Sequence, residues 1–257
     1  MGKVVVVYAG GFQPFHQGHL SSYLQAKEAF PNSDFYVAAS ADVKERPIPY
    51  NEKKFLATQA GVNPKDFPDI VVRSPLNPKE ILSHYNPEED IFVLVRSERD
   101  PMKYTKKDGS PGYYQQWSGI QNAQPFNKHG YVFVTKKKDF KLNGNDVYSG
   151  TQVRDMYSNA DDKTRLNIVK QLYPQSKQHK KIKQILDTYL ATMSENFKNF
   201  IESVKPLLNE ATVEQKKKLL QLLEAANLAQ QAAIAINMKK KGKKPKVKEN
   251  KDYLPES

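Results

Sequence analysis

Two histidines three residues apart, His16 and His19, sit in the glycine-rich stretch Gly10-Gly11-Phe12-Gln13-Pro14-Phe15-His16-Gln17-Gly18-His19. The stretch follows an apolar run, Val4 to Tyr8, and leads into a segment of helical character, Leu20 to Phe30. Strand, glycine-rich turn and helix start together make a junction suited to phosphate. Glycine lets the backbone approach an anion, and the first free N–H groups of the helix point at it. The imidazoles add donors or positive charge where phosphoryl charge develops. The same spacing also suits a transition metal, but the chain has no cysteine and no third ligand beside the pair, so no protein metal site is expected.

The spelling of the turn, Gly-x-Phe-Gln-Pro-Phe followed by His-x-Gly-His, resembles the signature of the HxGH nucleotidylyltransferase superfamily. Within it, the chain looks most like the nicotinamide-mononucleotide adenylyltransferases. Far downstream, Tyr148-Ser149-Gly150-Thr151-Gln152-Val153-Arg154 resembles the Ser-x-Thr-x-x-Arg motif of the same superfamily. Two motifs in the right order are a stronger signal than either alone. The resemblance spans roughly residues 3 to 160. Two departures stand out. Gly11 occupies a place where members often carry arginine, and Arg96-Ser97-Glu98-Arg99-Asp100 follows Val95 where related chains often have glycine.

The resemblance implies transfer of a nucleoside monophosphate, AMP from ATP, to a small phosphorylated acceptor such as nicotinamide mononucleotide; CTP in place of ATP stays open. The acceptor's phosphate is already anionic near neutral pH, so positioning and electrostatic stabilisation replace a strong base or covalent intermediate. By resemblance His16, His19 and Arg154 are catalytic. Gly10, Gly11, Phe12, Gly18, Ser149 and Thr151 bind the nucleotide, and Arg46, Lys53 and Trp117 are candidates to bind the acceptor. A divalent cation, Mg²⁺, is expected to bridge phosphate oxygens with few protein ligands.

The elements that must position these residues form an alternating series. Five apolar runs, Val4–Tyr8, Phe35–Ala39, Ile70–Val72, Ile91–Val95 and Tyr131–Val134, read as strands buried on both faces. Between them Leu20–Phe30, Asn51–Ala60 and Pro78–Tyr85 read as crossover helices, the last with Asn77 as cap, Pro78 at its first position and Glu80 completing a capping box. The expected fold is α/β, a Rossmann-like open parallel five-stranded sheet with its ligand at the carboxyl ends of the strands. Residues 97 to 129, rich in proline, glycine and tyrosine and holding the single tryptophan, read as an irregular loop, either a substrate lid or a self-packed Ω-loop. No strand signal is read after Val134.

Three regions are expected: residues 1–174 as the nucleotidylyltransferase-like domain, 175–238 as an α-helical appendage, and 239–257 as a basic, disordered tail. The net charge of +12 favours anionic partners, and the basic C-terminus suggests contact with a protein or nucleic acid. No run is long and apolar enough to span a bilayer and no secretory leader is read, so a soluble, cytoplasmic protein is expected. A reading of another class also stays open: a nucleotide-binding or assembly protein of reduced activity that docks through its helical C-terminus and basic tail.

Overall fold

The computed structural model describes residues 2–39, 47–100 and 102–191. Five strands form one parallel sheet: β1 (Val4–Gly10), β2 (Asp34–Ala39), β3 (Ile91–Ser97), β4 (Tyr114–Gln116) and β5 (Gly130–Thr135), in the order β2-β1-β3-β5-β4. Register pairs Tyr8 with Val37 on one side and with Val95 on the other. Alternate residues of each strand enter two separate cores. Val6, Tyr8, Val37, Val93 and Val95 face one; Val5, Val7, Ala38, Phe92 and Leu94 face the other. Burial of both faces explains the uninterrupted apolar runs.

The larger core is covered by α1 (Gln17–Ala29), α2 (Tyr50–Ala60), α4 (Gly150–Ser158), α5 (Asp162–Leu172) and α6 (His179–Leu186), and the smaller one receives α3 (Lys79–Leu82). The chain leaves β1 toward β2 and returns to β3 on the other flank, which makes the carboxyl ends of β1 and β3 the switch point of the sheet.

The Rossmann-like fold and its five parallel strands are as expected, but one strand differs. Ile70–Val72 is not one of the strands of the sheet; Val72 is fully buried and makes only a single β-bridge. The fifth place belongs to β4, inside the stretch read as an irregular loop. Its three residues pair with β5 at the edge, where polar Gln115 and Gln116 meet no second core. The segment Pro78–Tyr85 forms only the single turn α3. Pro78 takes the cap position without a side-chain bond, and Glu80 Oε1 accepts the Arg73 N–H rather than closing a box.

A hairpin follows Val134, where no strand was read: β6 (Phe140–Leu142) and β7 (Asn145–Val147) are antiparallel. Its turn is Asn143-Gly144, with φ of 50° and 83°. Both residues tolerate the left-handed conformation that a two-residue hairpin demands. The Asn-Gly dipeptide is the signal that marks it.

The chain divides into two compact units, 1–197 and 198–257, of which the second lies outside the described residues. Within the first, Ile182, Ile185, Leu186 and Leu190 belong to the same core as the sheet, so α6 is continuous with that core. Tyr157 on α4 donates to Asp187 Oδ1 (2.9 Å), and Lys183 Nζ donates to Asp187 Oδ2 (2.6 Å), tying α4 to the end of α6. The expected tail, 239–257, and the helical segments from Met193 onward lie outside the described residues. Among the described residues no helix is long and apolar enough to cross a membrane.

Candidate active site

A cavity of about 620 Å³ opens at the carboxyl ends of β1 and β3. Its walls come from the end of β1 and the following turn, the start of α1, the end of β3, the loop after β5 and the start of α4. His16, Gly18, His19, Ser149 and Gly150 all line it, so the structure brings the two motifs together across more than a hundred residues of sequence.

The turn is locked by its aromatic side chains. Phe12 adopts φ of 48°, is only 2% exposed, and packs on Tyr8, Phe15 and Phe67. Its ring folds back over Gly10, where a Cβ would stand 2.5 Å from it. Gly10 is therefore needed first for packing within the turn, beyond any approach to phosphate. Gln13 clamps the neighbouring segment with two hydrogen bonds to Ile48, one through Nε2 (3.1 Å) and one through Oε1 (3.0 Å). From behind, the Tyr173 hydroxyl donates to the Phe15 carbonyl (2.7 Å) and Gln17 Nε2 to the Leu172 carbonyl (2.7 Å).

His16 is the N-cap of α1. Its Nδ1 accepts the Gly18 N–H at 3.1 Å, and its own N–H is accepted by His19 Nδ1 at 3.2 Å. The two rings stack with centroids 3.7 Å apart. This is a capping box built from imidazoles. It modifies the expectation that free helix N–H groups meet the phosphate directly, since His16 accepts the Gly18 N–H itself. With both Nδ1 atoms acting as acceptors, each neutral ring carries its proton on Nε2. Burial holds the His16 imidazole well below its usual pKa, helped by His19 and Arg99, and burial pushes His19 down to about 3. The site thus presents two imidazoles that burial keeps neutral near pH 7.

The second motif supplies the donors that the first has used. Ser149 caps α4 by accepting the Gln152 N–H (3.3 Å). No described hydrogen bond uses the Gly150 or Thr151 N–H, and Gly150 lines the cavity. A Cβ on Gly150 would lie 3.7 Å from Arg154 Nη1 and 3.8 Å from His16 Nε2. Arg154 donates from Nη1 to the Gln13 carbonyl (2.8 Å) and from Nη2 to Thr151 Oγ1 (3.0 Å), linking α4 to the first motif.

Of the expected acceptor residues, the two that are described, Trp117 and Lys53, stand apart from the cavity. Trp117 packs on Phe30 and Tyr131, at centroid distances of 5.2 and 5.7 Å, and does not line the cavity. Lys53 is fully buried in α2 and does not line it either. Arg46 lies outside the described residues. The cationic lining comes instead from Arg96, Arg99, Lys137 and Lys138. Arg99 pairs with Asp139 and lies 5.5 Å from the Tyr148 ring. The sequence signal for these residues is position: each follows an apolar run at its carboxyl end. Ser74 to Leu76, also in the wall, carry no such signal.

Among the described residues no group of three or more histidines and carboxylates gathers as a metal site. Among the described residues the carboxylate in the cavity wall is Asp100. This described lining fits a cation that arrives bound to phosphate oxygens.

The sequence model of the cytidylyltransferase-like family matches residues 7–205, most of the chain. The chain belongs to that family. Its nucleotidylyltransferase character accords with the paired motifs. No protein with a curated description matches the sequence. Among solved structures the chain is similar to a bifunctional NMN adenylyltransferase/ADP ribose pyrophosphatase from Francisella tularensis, complexed with AMP and a manganese ion. The identity is 17% and the TM-score 0.45, over 82% of this cytidylyltransferase-like chain and 57% of the other. The chain thus spans a little over half the length of that protein.

Proposed function

We propose that this cytidylyltransferase-like protein transfers AMP from ATP to a small phosphorylated acceptor, with nicotinamide mononucleotide the named candidate, and releases pyrophosphate. The observation that carries the reading is the stacked, neutral His16–His19 pair facing one cavity together with the uncapped N–H groups at the start of α4.

In this reading the triphosphate lies along the two helix starts. Gly150 and Thr151 N–H groups hold terminal phosphate oxygens, Ser149 shapes the turn, and Arg154 adds a planar cation behind it. The His16 and His19 Nε2–H groups donate to oxygens of the α-phosphoryl and its leaving bridge as charge shifts onto them. Because His16 Nδ1 accepts the Gly18 N–H, the imidazole extends the positive end of α1 into the cavity. Mg²⁺ bound to the triphosphate would neutralise phosphate charge, with Asp100 the carboxylate of the cavity wall available to its water shell.

The acceptor's phosphate oxygen forms a bond to the α-phosphorus. The bridging bond to the β-phosphate breaks, and pyrophosphate leaves with that electron pair. No proton must be removed from the nucleophile, which agrees with a site whose two imidazoles are held neutral.

Calorimetry with ATP, CTP and a nonhydrolysable ATP analogue in the presence of Mg²⁺ tests the reading. Saturable binding of ATP is expected. Absence of saturable binding by every triphosphate would remove the enzymatic reading.

A further inference from the structure

Arg96 stands at the carboxyl end of β3, two residues beyond Leu94. The two-residue period of the strand puts it on the side of the smaller core, opposite the Val93 and Val95 face that the histidine turn covers. Ser74 to Leu76 border the cavity on Arg96's side, and the Leu76 carbonyl accepts from Tyr114, which packs on the smaller core. The cavity therefore reaches around the strand ends, with imidazoles on one side and a guanidinium on the other.

Arg96 differs from the other arginine in the wall. Arg99 is paired with Asp139, whereas no described hydrogen bond or ion pair engages the Arg96 guanidinium. Its Nε is buried without an acceptor. A desolvated cationic donor left unpaired is costly, and a ligand that supplies oxygens to it recovers that cost. The Nε and Nη edge of guanidinium matches two oxygens of one phosphate.

We propose that Arg96 binds the phosphate of the acceptor and holds it across the switch point from the histidine pair. The inference rests on the nucleotidylyltransferase reading and names the residue that selects a phosphorylated second substrate. Held from the far side, the acceptor oxygen faces an α-phosphorus fixed by the two helix starts.

The test uses the full chain with Mg²⁺ and saturating α,β-methylene ATP, into which nicotinamide mononucleotide, nicotinamide riboside or inorganic phosphate is titrated. Wild type, Arg96→Gln and Arg96→Lys are compared, with thermal melting to establish that each is folded. Loss of one charge-assisted pair should weaken nicotinamide mononucleotide and phosphate by about tenfold or more in Arg96→Gln, and by less in Arg96→Lys. The riboside, lacking phosphate, should bind all three proteins alike, and affinity for the ATP analogue should stay within about twofold. Wild-type protein that binds the analogue but neither phosphate nor the mononucleotide overturns the inference, as do equal affinities across the three proteins. Failure of the wild type to bind the analogue would instead remove the enzymatic reading on which the inference stands.

Discussion

His16 and His19 hold each other in place: the His16 N–H is accepted by His19 Nδ1 at 3.2 Å while the rings stack at 3.7 Å. His16 Nδ1 is in turn occupied by the Gly18 N–H. Helix capping and the orientation of the two imidazoles are thus one set of hydrogen bonds. Both rings should be neutral Nε2–H tautomers at pH 7, because burial disfavours the imidazolium of each. Nitrogen-15 chemical shifts of the histidine side chains read this directly. An imidazolium signal for either residue in the ligand-free protein at pH 7 would contradict it.

The same shifts give stability a pH dependence. The unfolded chain protonates these rings near about 6.5, while the folded chain does so only at lower pH, to about 3 for His19. Below about 6.5 the unfolded state binds more protons, so their contribution is complete above that pH and is lost as pH falls. Melting temperature should drop between pH 6.5 and 4, and the drop should shrink in a His16→Gln/His19→Gln double variant. A variant with the same pH slope as wild type would assign the acid sensitivity to other groups.

Replacing His19 by alanine removes the acceptor of the His16 N–H and, in the proposed reaction, a donor to the reacting phosphoryl. The chemical step should slow by about 100-fold, near 3 kcal/mol by analogy with oxyanion donors. Stability should fall by about 1 kcal/mol through the lost cap interaction. Single-turnover kinetics at saturating substrates separates the two effects, and an unchanged rate constant would take His19 out of the mechanism.

Gly18 owes its identity to His16. A Cβ there would stand 3.1 Å from His16 Cε1 and 3.2 Å from Nδ1, tighter than relaxed packing allows. Gly18→Ala should displace the imidazole and weaken the cap, lowering kcat by about tenfold with about 1 kcal/mol of stability lost. Full activity in this variant would mean that the ring position is not critical.

Much of this site was legible because its chemistry is local. Gly10 to His19 and Ser149 to Arg154 each lie at the start of one helix, and their spacing reports the caps that the structure forms. The β1, β2, β3 and β5 runs were legible because both their faces are buried. β4 was not, since an edge strand of three polar and aromatic residues owes its place to pairing with β5. Ile70–Val72 shows the converse: an apolar run marks burial, and Val72 is buried with a single β-bridge in place of a strand. Trp117 drew attention as the single tryptophan, in an aromatic loop, yet its ring serves packing against Phe30 and Tyr131. Arg96 was visible as a departure from the resembled pattern, but only the sheet shows which face of the cavity it occupies.

Tyr173 supports the site from outside the motifs. Its hydroxyl donates to the Phe15 carbonyl from a fully buried position. Tyr173→Phe should cost about 1–2 kcal/mol, because it leaves a buried carbonyl without its donor. A several-fold loss of kcat at unchanged triphosphate affinity is also expected, since the turn that carries His16 loosens. Melting curves together with kinetics check this; a variant with wild-type stability and rate would show that the hydrogen bond does not position the turn.

AMP transfer is read by mixing the protein with α-labelled ATP, Mg²⁺ and nicotinamide mononucleotide, and following both label and pyrophosphate. Label is expected in a dinucleotide product, with one pyrophosphate released per transfer and both signals slowed about 100-fold in His19→Ala. Bound triphosphate with no label transferred to any phosphorylated acceptor, or label released only as free AMP, would contradict it.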